Sequence, residues 1–159
     1  MSMMLALLLA AQITPMQPMP KGTGLPLADS DTRAVMAPID AMFAAMSARD
    51  PQALLAQLRP DGGATVAVER PDGTRVISHM SWAEFATHIK PGAEHYEERL
   101  TDPAIDVDGD IAMVWSPYVF LIDGKTHHCG VDHFDLVRDN GAWKIENVSW
   151  SQRTTGCGV

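Results

Sequence analysis

The sequence predicts an α+β fold in which a curved antiparallel sheet wraps around helices, a cone-shaped barrel with the order α-α-β-β-α-β-β-β-β. Three observations carry that expectation. Apolar residues recur at helical spacing in the first third of the chain and again around Phe85. The turn pairs Asp108-Gly109, Asp123-Gly124 and Asn140-Gly141 then divide residues 94–152 into four strands, longer than usual. Finally, two of those strands break their inside–outside phase, the device by which a long sheet bends.

Each element has its own signal. Ser30 or Asp31 is expected to cap the first helix, whose inner face carries Ile39, Met42, Phe43 and Met46. Pro38, early in that helix, either starts its regular part or kinks it. Asp50-Pro51 restarts the chain as a second helix, a capping carboxylate followed by proline at the first helical position, with Leu54, Leu55 and Leu58 on one side. Asp61-Gly62-Gly63 is read as the end of the helical part, and residues 64–70 and 74–79 as a hairpin around Pro71-Asp72-Gly73. Ser81 and Glu84 form a capping box, stapled by Met80 and Phe85. Trp82, Phe85, Ala86 and Ile89 then make one apolar face, and Pro91-Gly92 stops the third helix.

Two phase breaks are expected in the C-terminal strands. Met113 and Trp115 alternate in one register and Tyr118, Phe120 and Ile122 in the other, with Pro117 between them. Trp143 and Ile145 are out of phase with Val148 and Trp150, which places a bulge near Glu146-Asn147.

A chain of 159 residues accommodates one domain, read as residues 28–159 after a signal peptide and linker over residues 1–27. Residues 1–20 carry no charge, and the apolar run 3–11 is too short to span a bilayer but fits a signal-peptide core. No Lys or Arg precedes the run, and Leu9-Ala10-Ala11 is a poor cleavage site. A periplasmic or secreted protein is expected, with the cytoplasm as alternative. A net charge of −8 argues against nucleic acid and against an anionic membrane surface. Cys129 and Cys157 are either one disulfide, contributing about 3.5 kcal/mol by loop closure, or two separate thiols.

The element order over residues 31–153 resembles the nuclear transport factor 2-like superfamily. The run His128-Cys129-Gly130-Val131-Asp132, with Phe134, Leu136-Val137-Arg138 and Gly141-Ala142-Trp143-Lys144-Ile145, looks like a bacterial, often exported, SnoaL-like group within it. Trp115-Ser116-Pro117-Tyr118, the Asp123-Gly124 turn and Gly156-Cys157 resemble the same group. The superfamily includes ketosteroid isomerase, dehydratases, cyclases and epoxide hydrolases, besides members that only bind ligands or dimerise, so fold alone does not decide function.

The resemblance to ketosteroid isomerase puts Asp132 at the position of that enzyme's oxyanion-hole acid and Trp150 on a pocket-lining position. Strand parity separately turns Asp132, Phe134, Leu136 and His128 inward. The isomerase mechanism does not carry over, because its base falls near Val68, Glu69 and Arg70, with no Asp, and its tyrosine falls near Met42. Asp132 is therefore the candidate acid or base, with His128 or Tyr118 as partner. Trp115, Phe120, Phe134, Trp150 and Met42 are the candidate pocket lining.

No metal or cofactor is called for. His127 with Cys129 and His133 with Asp135 share faces, but the pairs lie about 20 Å apart along a strand at roughly 3.3 Å per residue. Glu94, Glu97, Glu98 and Arg99 read as a solvated strand surface, and the ten methionines as signal and core residues. His133, Asp135, Val131 and Val137 fall on the outer face, which favours a homodimer.

Three functions compete: binding of a small apolar organic ligand in a non-catalytic or accessory role; a cofactor-independent isomerase, cyclase, dehydratase or hydrolase using Asp132; and a dimerisation module with a closed core.

Overall fold

The structure, a computed structural model, describes residues 28–158. The expected signal peptide and linker therefore lie outside the described residues. Helices α1 (Asp29–Ala48), α2 (Pro51–Leu55) and α3 (Trp82–Ala86) pack on the inner face of one curved, unclosed sheet. Its strands are β1 (Leu58–Glu69), β2 (Arg75–Ser81), β3 (Tyr96–Leu100), β4 (Ala104–Asp108), β5 (Ile111–Ile122), β6 (Lys125–Asp139) and β7 (Ala142–Arg153). They run in the order β2-β1-β7-β6-β5-β3, with β4 also paired to β5. The α+β cone is as expected, with one refinement: β1 lies parallel to β7, so the sheet is mixed rather than wholly antiparallel.

Local chemistry explains most of the elements. Asp50 Oδ1 accepts from the Gln52 and Ala53 N–H groups at 3.0 and 2.9 Å, holding the start of α2. The capping box of α3 forms as expected: Ser81 Oγ accepts from the Glu84 N–H, and Glu84 Oε2 accepts from the Ser81 N–H. The turns at Asp123-Gly124 and Asn140-Gly141 place both central residues at positive φ, the backbone that a two-residue hairpin requires. The cap of α1 differs from expectation. Ala28 occupies it without a side-chain hydrogen bond, and Ser30 and Asp31 already lie within the helix. Asp61-Gly62-Gly63 does not end a helix but runs inside β1, where Gly62 allows the chain to pass against the Glu146 carbonyl.

Two strand features reshape the sheet. The bulge expected near Glu146-Asn147 is present: Asp135 pairs with Asn147 and Leu136 with Ile145, leaving Glu146 as the extra residue. Its displaced carbonyl accepts from the Trp82 indole N–H at 3.2 Å, and the Asn147 side chain accepts from the Gly63 N–H at 3.1 Å. Because of this bulge Ile145, Val148 and Trp150 can all serve the inner side.

The phase break expected at Pro117 is absent. Ala112, Val114, Ser116, Tyr118 and Phe120 alternate inward without interruption, while Met113 and Trp115 face out. The proline acts on the neighbouring edge instead. It has no N–H to donate, and Ser116 Oγ lies 3.0 Å from the Thr101 carbonyl and donates to it in place of the backbone. Around Thr101-Asp102-Pro103 the single strand expected over residues 94–108 divides into β3 and β4. Five strands thus follow α3, not four.

Gly130 sets the spacing of β6 and β7, since a Cβ there would stand 1.8 Å from the Ser151 carbonyl oxygen. Gly130→Ala is expected to lower stability by about 1–3 kcal/mol, read from urea unfolding, because β7 must move away.

Candidate functional site

The inward residues of β3, β5, β6 and β7 and the facing side of α1 enclose a cavity of about 480 Å³. Met42, Phe43 and Met46 of α1 cover it, and Phe134 and Val148 form its buried floor. Phe85 packs edge-on against Trp150 at 6.2 Å, and Phe120 stacks on His128 at 4.8 Å. The exposed His88 and His127 mark the mouth.

The polar end is built from three strands. Asp132 on β6 is 2% exposed and sits opposite Trp150 of β7 in register. Glu98 on β3 keeps part of its surface open while its carboxyl is enclosed and lies in hydrogen-bond contact with Asp132. Tyr118 on β5 lies between them in the sheet and donates to the Ser151 carbonyl at 3.1 Å. Desolvation raises the pKa of both carboxyls, and for Asp132 the charge and hydrogen bond of Glu98 raise it further. Two carboxylates in contact, with no cation between them, cannot both ionise, so the pair retains a proton. Burial, with Asp132 and Glu98 nearby, also holds Tyr118 protonated. His128 is pushed down to about 4, first by burial and then by His127, so it is neutral at pH 7. Asp132 Oδ2 has no hydrogen-bond partner among the described residues.

Of the residues chosen from the sequence, Asp132, His128, Tyr118, Trp150, Phe120, Phe134 and Met42 meet at this cavity. Trp115 does not: it is 49% exposed on the outer face of β5, against His133. The inner positions beside it belong to Val114 and Ser116, because β5 keeps one phase through Pro117 to the inward Tyr118 and Phe120. Glu98 was expected on a solvated surface and is instead half of the carboxyl pair. Its signal was alternation, since Tyr96 and Leu100 put the same face of β3 inward. Strand parity puts His127 on one face with Cys129, but the register shift between Phe120 and Leu121 leaves His127 unpaired in β6 and turns it to the mouth. Cys129 and Cys157 form a disulfide, which ties the segment after β7 to β6.

A family described as "Putative lumazine-binding" matches residues 30–151, and the chain belongs to it. Its fold is that of the nuclear transport factor 2-like superfamily. A nuclear transport factor 2-like protein with a cystatin-like fold from Novosphingobium aromaticivorans is similar over 80% of this chain and 85% of its own, at 16% identity and TM-score 0.61. A "Putative Scytalone Dehydratase" from the same species matches 82% of this chain and 89% of its own, at 15% identity and TM-score 0.62. A cystatin-like protein of unknown function from Nostoc punctiforme matches 82% and 97%, at 13% identity and TM-score 0.61. These likenesses define the fold. No curated protein matches the sequence.

The carboxyl pair has a consequence for stability. A carboxyl whose pKa rises on folding contributes fully below its unfolded value, here 3.8, and loses that contribution as pH climbs through the folded value. Wild-type stability is therefore expected to fall from acid toward neutral pH. Asp132→Asn should flatten that slope and equal or exceed the wild type above neutrality, as measured by urea midpoints across pH.

Proposed function

We propose that this protein binds a small, mainly apolar organic molecule whose polar group meets Asp132. The observation that carries this reading is a cavity of about 480 Å³ with aromatic and aliphatic walls and the buried Asp132 at its polar end. Ligand pockets start near 300 Å³, so the alternative of a dimerisation module with a closed core loses its ground. Lumazine, named in the family description, is a natural first compound to try.

A second reading is cofactor-independent acid–base chemistry, as an isomerase, cyclase, dehydratase or hydrolase. The proton-sharing pair of Asp132 and Glu98 favours it, since such a pair can both give and take a proton within a desolvated site. The neutral His128 or Tyr118 would be the partner.

Export is part of the proposal. The apolar run at residues 3–11 supports it, and the Cys129–Cys157 disulfide suits an oxidising compartment. The exposed Ile111, Met113 and Trp115 on the outer face of β5 support a homodimer.

Thermal unfolding with lumazine and a panel of apolar bicyclic compounds tests the binding reading. A ligand at a hundredfold its Kd should stabilise by about 2.7 kcal/mol. Met46→Trp, which fills the cavity from α1, should abolish that gain while leaving the unliganded protein folded. Absence of any stabilising compound, together with no co-purifying molecule in native mass spectrometry, would sink the proposal. Sedimentation velocity of the wild type against Trp115→Glu checks the dimer: the variant should sediment as a monomer.

A further inference from the structure

The loop between α3 and β3 closes one side of the cavity, and a single side chain holds it there. His88 and Ile89 near its start and Tyr96 just past its end line the cavity. Its two ends are fixed by backbone hydrogen bonds. The Ile89 N–H donates to the Ala86 carbonyl at 3.1 Å. At the other end His95 and Asp123, in the turn between β5 and β6, share two hydrogen bonds of 2.9 Å. Between these anchors, among the described residues, the hydrogen bonds that reach residues 91–94 from the rest of the protein all come from Arg49, just past the end of α1. Its guanidinium donates to the Lys90 and Glu94 carbonyls at 3.1 and 2.9 Å. It also lies 3.2 Å over the Tyr96 ring, with Gly92 alongside.

Arg49 holds this place against its own backbone preference. The Asp50 N–H donates to the Ala45 carbonyl at 2.9 Å, an ending of α1 that requires a left-handed residue at position 49. Arg49 stands there at φ 58°, where glycine or asparagine is favoured. Its side chain is only 10% exposed, yet Nε has no hydrogen-bond partner among the described residues. A guanidinium pinned under the loop with one donor unpaired recovers that bond from water once the loop lifts. Neither the strain nor the unpaired donor serves the end of the helix, and strain kept beside a cavity points to use.

Resting on the binding reading above, we propose that residues 90–95 form a lid at the cavity mouth and that Arg49 is its latch. Arg49 is then a positioning residue that sets how fast a ligand enters and leaves. The same latch closes the empty and the filled cavity. Its loss therefore speeds both steps and leaves Kd nearly unchanged.

Arg49→Gly removes the latch and relieves the left-handed strain, so the variant should match or exceed the wild type in urea midpoint. Two measurements then test the latch. Cleavage after Glu94 by a glutamyl endopeptidase, under native conditions and followed by mass spectrometry, should be about tenfold faster than in the wild type, the factor that one hydrogen bond from a charged donor gives. Stopped-flow fluorescence with N-phenyl-1-naphthylamine, a neutral apolar probe, should show association and dissociation both about tenfold faster, with Kd within about twofold. Arg49→Lys keeps the charge and the strain but loses the fork, so it should speed both steps too. It carries the test if the glycine variant does not fold. Unchanged cleavage, or an unchanged association rate, overturns the proposal; the latter with a raised Kd is the mark of a residue that only shapes the wall. A probe that does not bind counts against the binding reading, and the Glu94 cleavage rate then decides the latch by itself.

Discussion

A carboxyl group placed in an apolar cavity without a cation beside it is the constraint on which the site turns. Burial disfavours the charged form of Asp132, and the neighbouring Glu98 disfavours it again. The protein's answer is not a salt bridge but a shared proton. That choice leaves the polar end poor in positive charge and holds Tyr118 in its protonated form.

Backbone irregularities create the cavity. The extra residue Glu146 in β7 re-phases that strand so that Trp150 reaches the pocket while Ile145 stays in the core. The same bulge lends its carbonyl to the Trp82 indole, which anchors α3 and the following segment carrying Ile89 and His88 over the site. Gly130 lets β7 approach β6 so closely that the Ser151 carbonyl can receive the Tyr118 hydroxyl. Packing and chemistry are thus coupled through the β6–β7 pair. The disulfide from Cys129 fastens the chain end to that pair on the strand carrying Asp132.

Membership of a family described as "Putative lumazine-binding" leaves function to the site, since one fold serves many functions. The carboxyl pair, the neutral His128 and the aromatic walls belong to this chain's own residues.

What the sequence determined by itself was whatever depends on neighbours along the chain: the capped starts of α2 and α3, the glycine turns, the bulge at Glu146, and the strand parity that turns Asp132 and Phe134 inward. These are short-range matters of hydrogen bonding and alternation, and residue types record them directly. Tertiary structure decided the rest. Whether Trp115 or the small Ser116 faced the core depended on β5 keeping its phase across Pro117, and hydrophobicity alone favoured the wrong one. Pro117 changed the strand beside it rather than its own, because its missing N–H points across the ladder. Glu98 looked like one acid in a charged surface strand; only the curvature that brings β3 over β6 makes it the partner of Asp132, since two residues so far apart in sequence interact only when folding places them together.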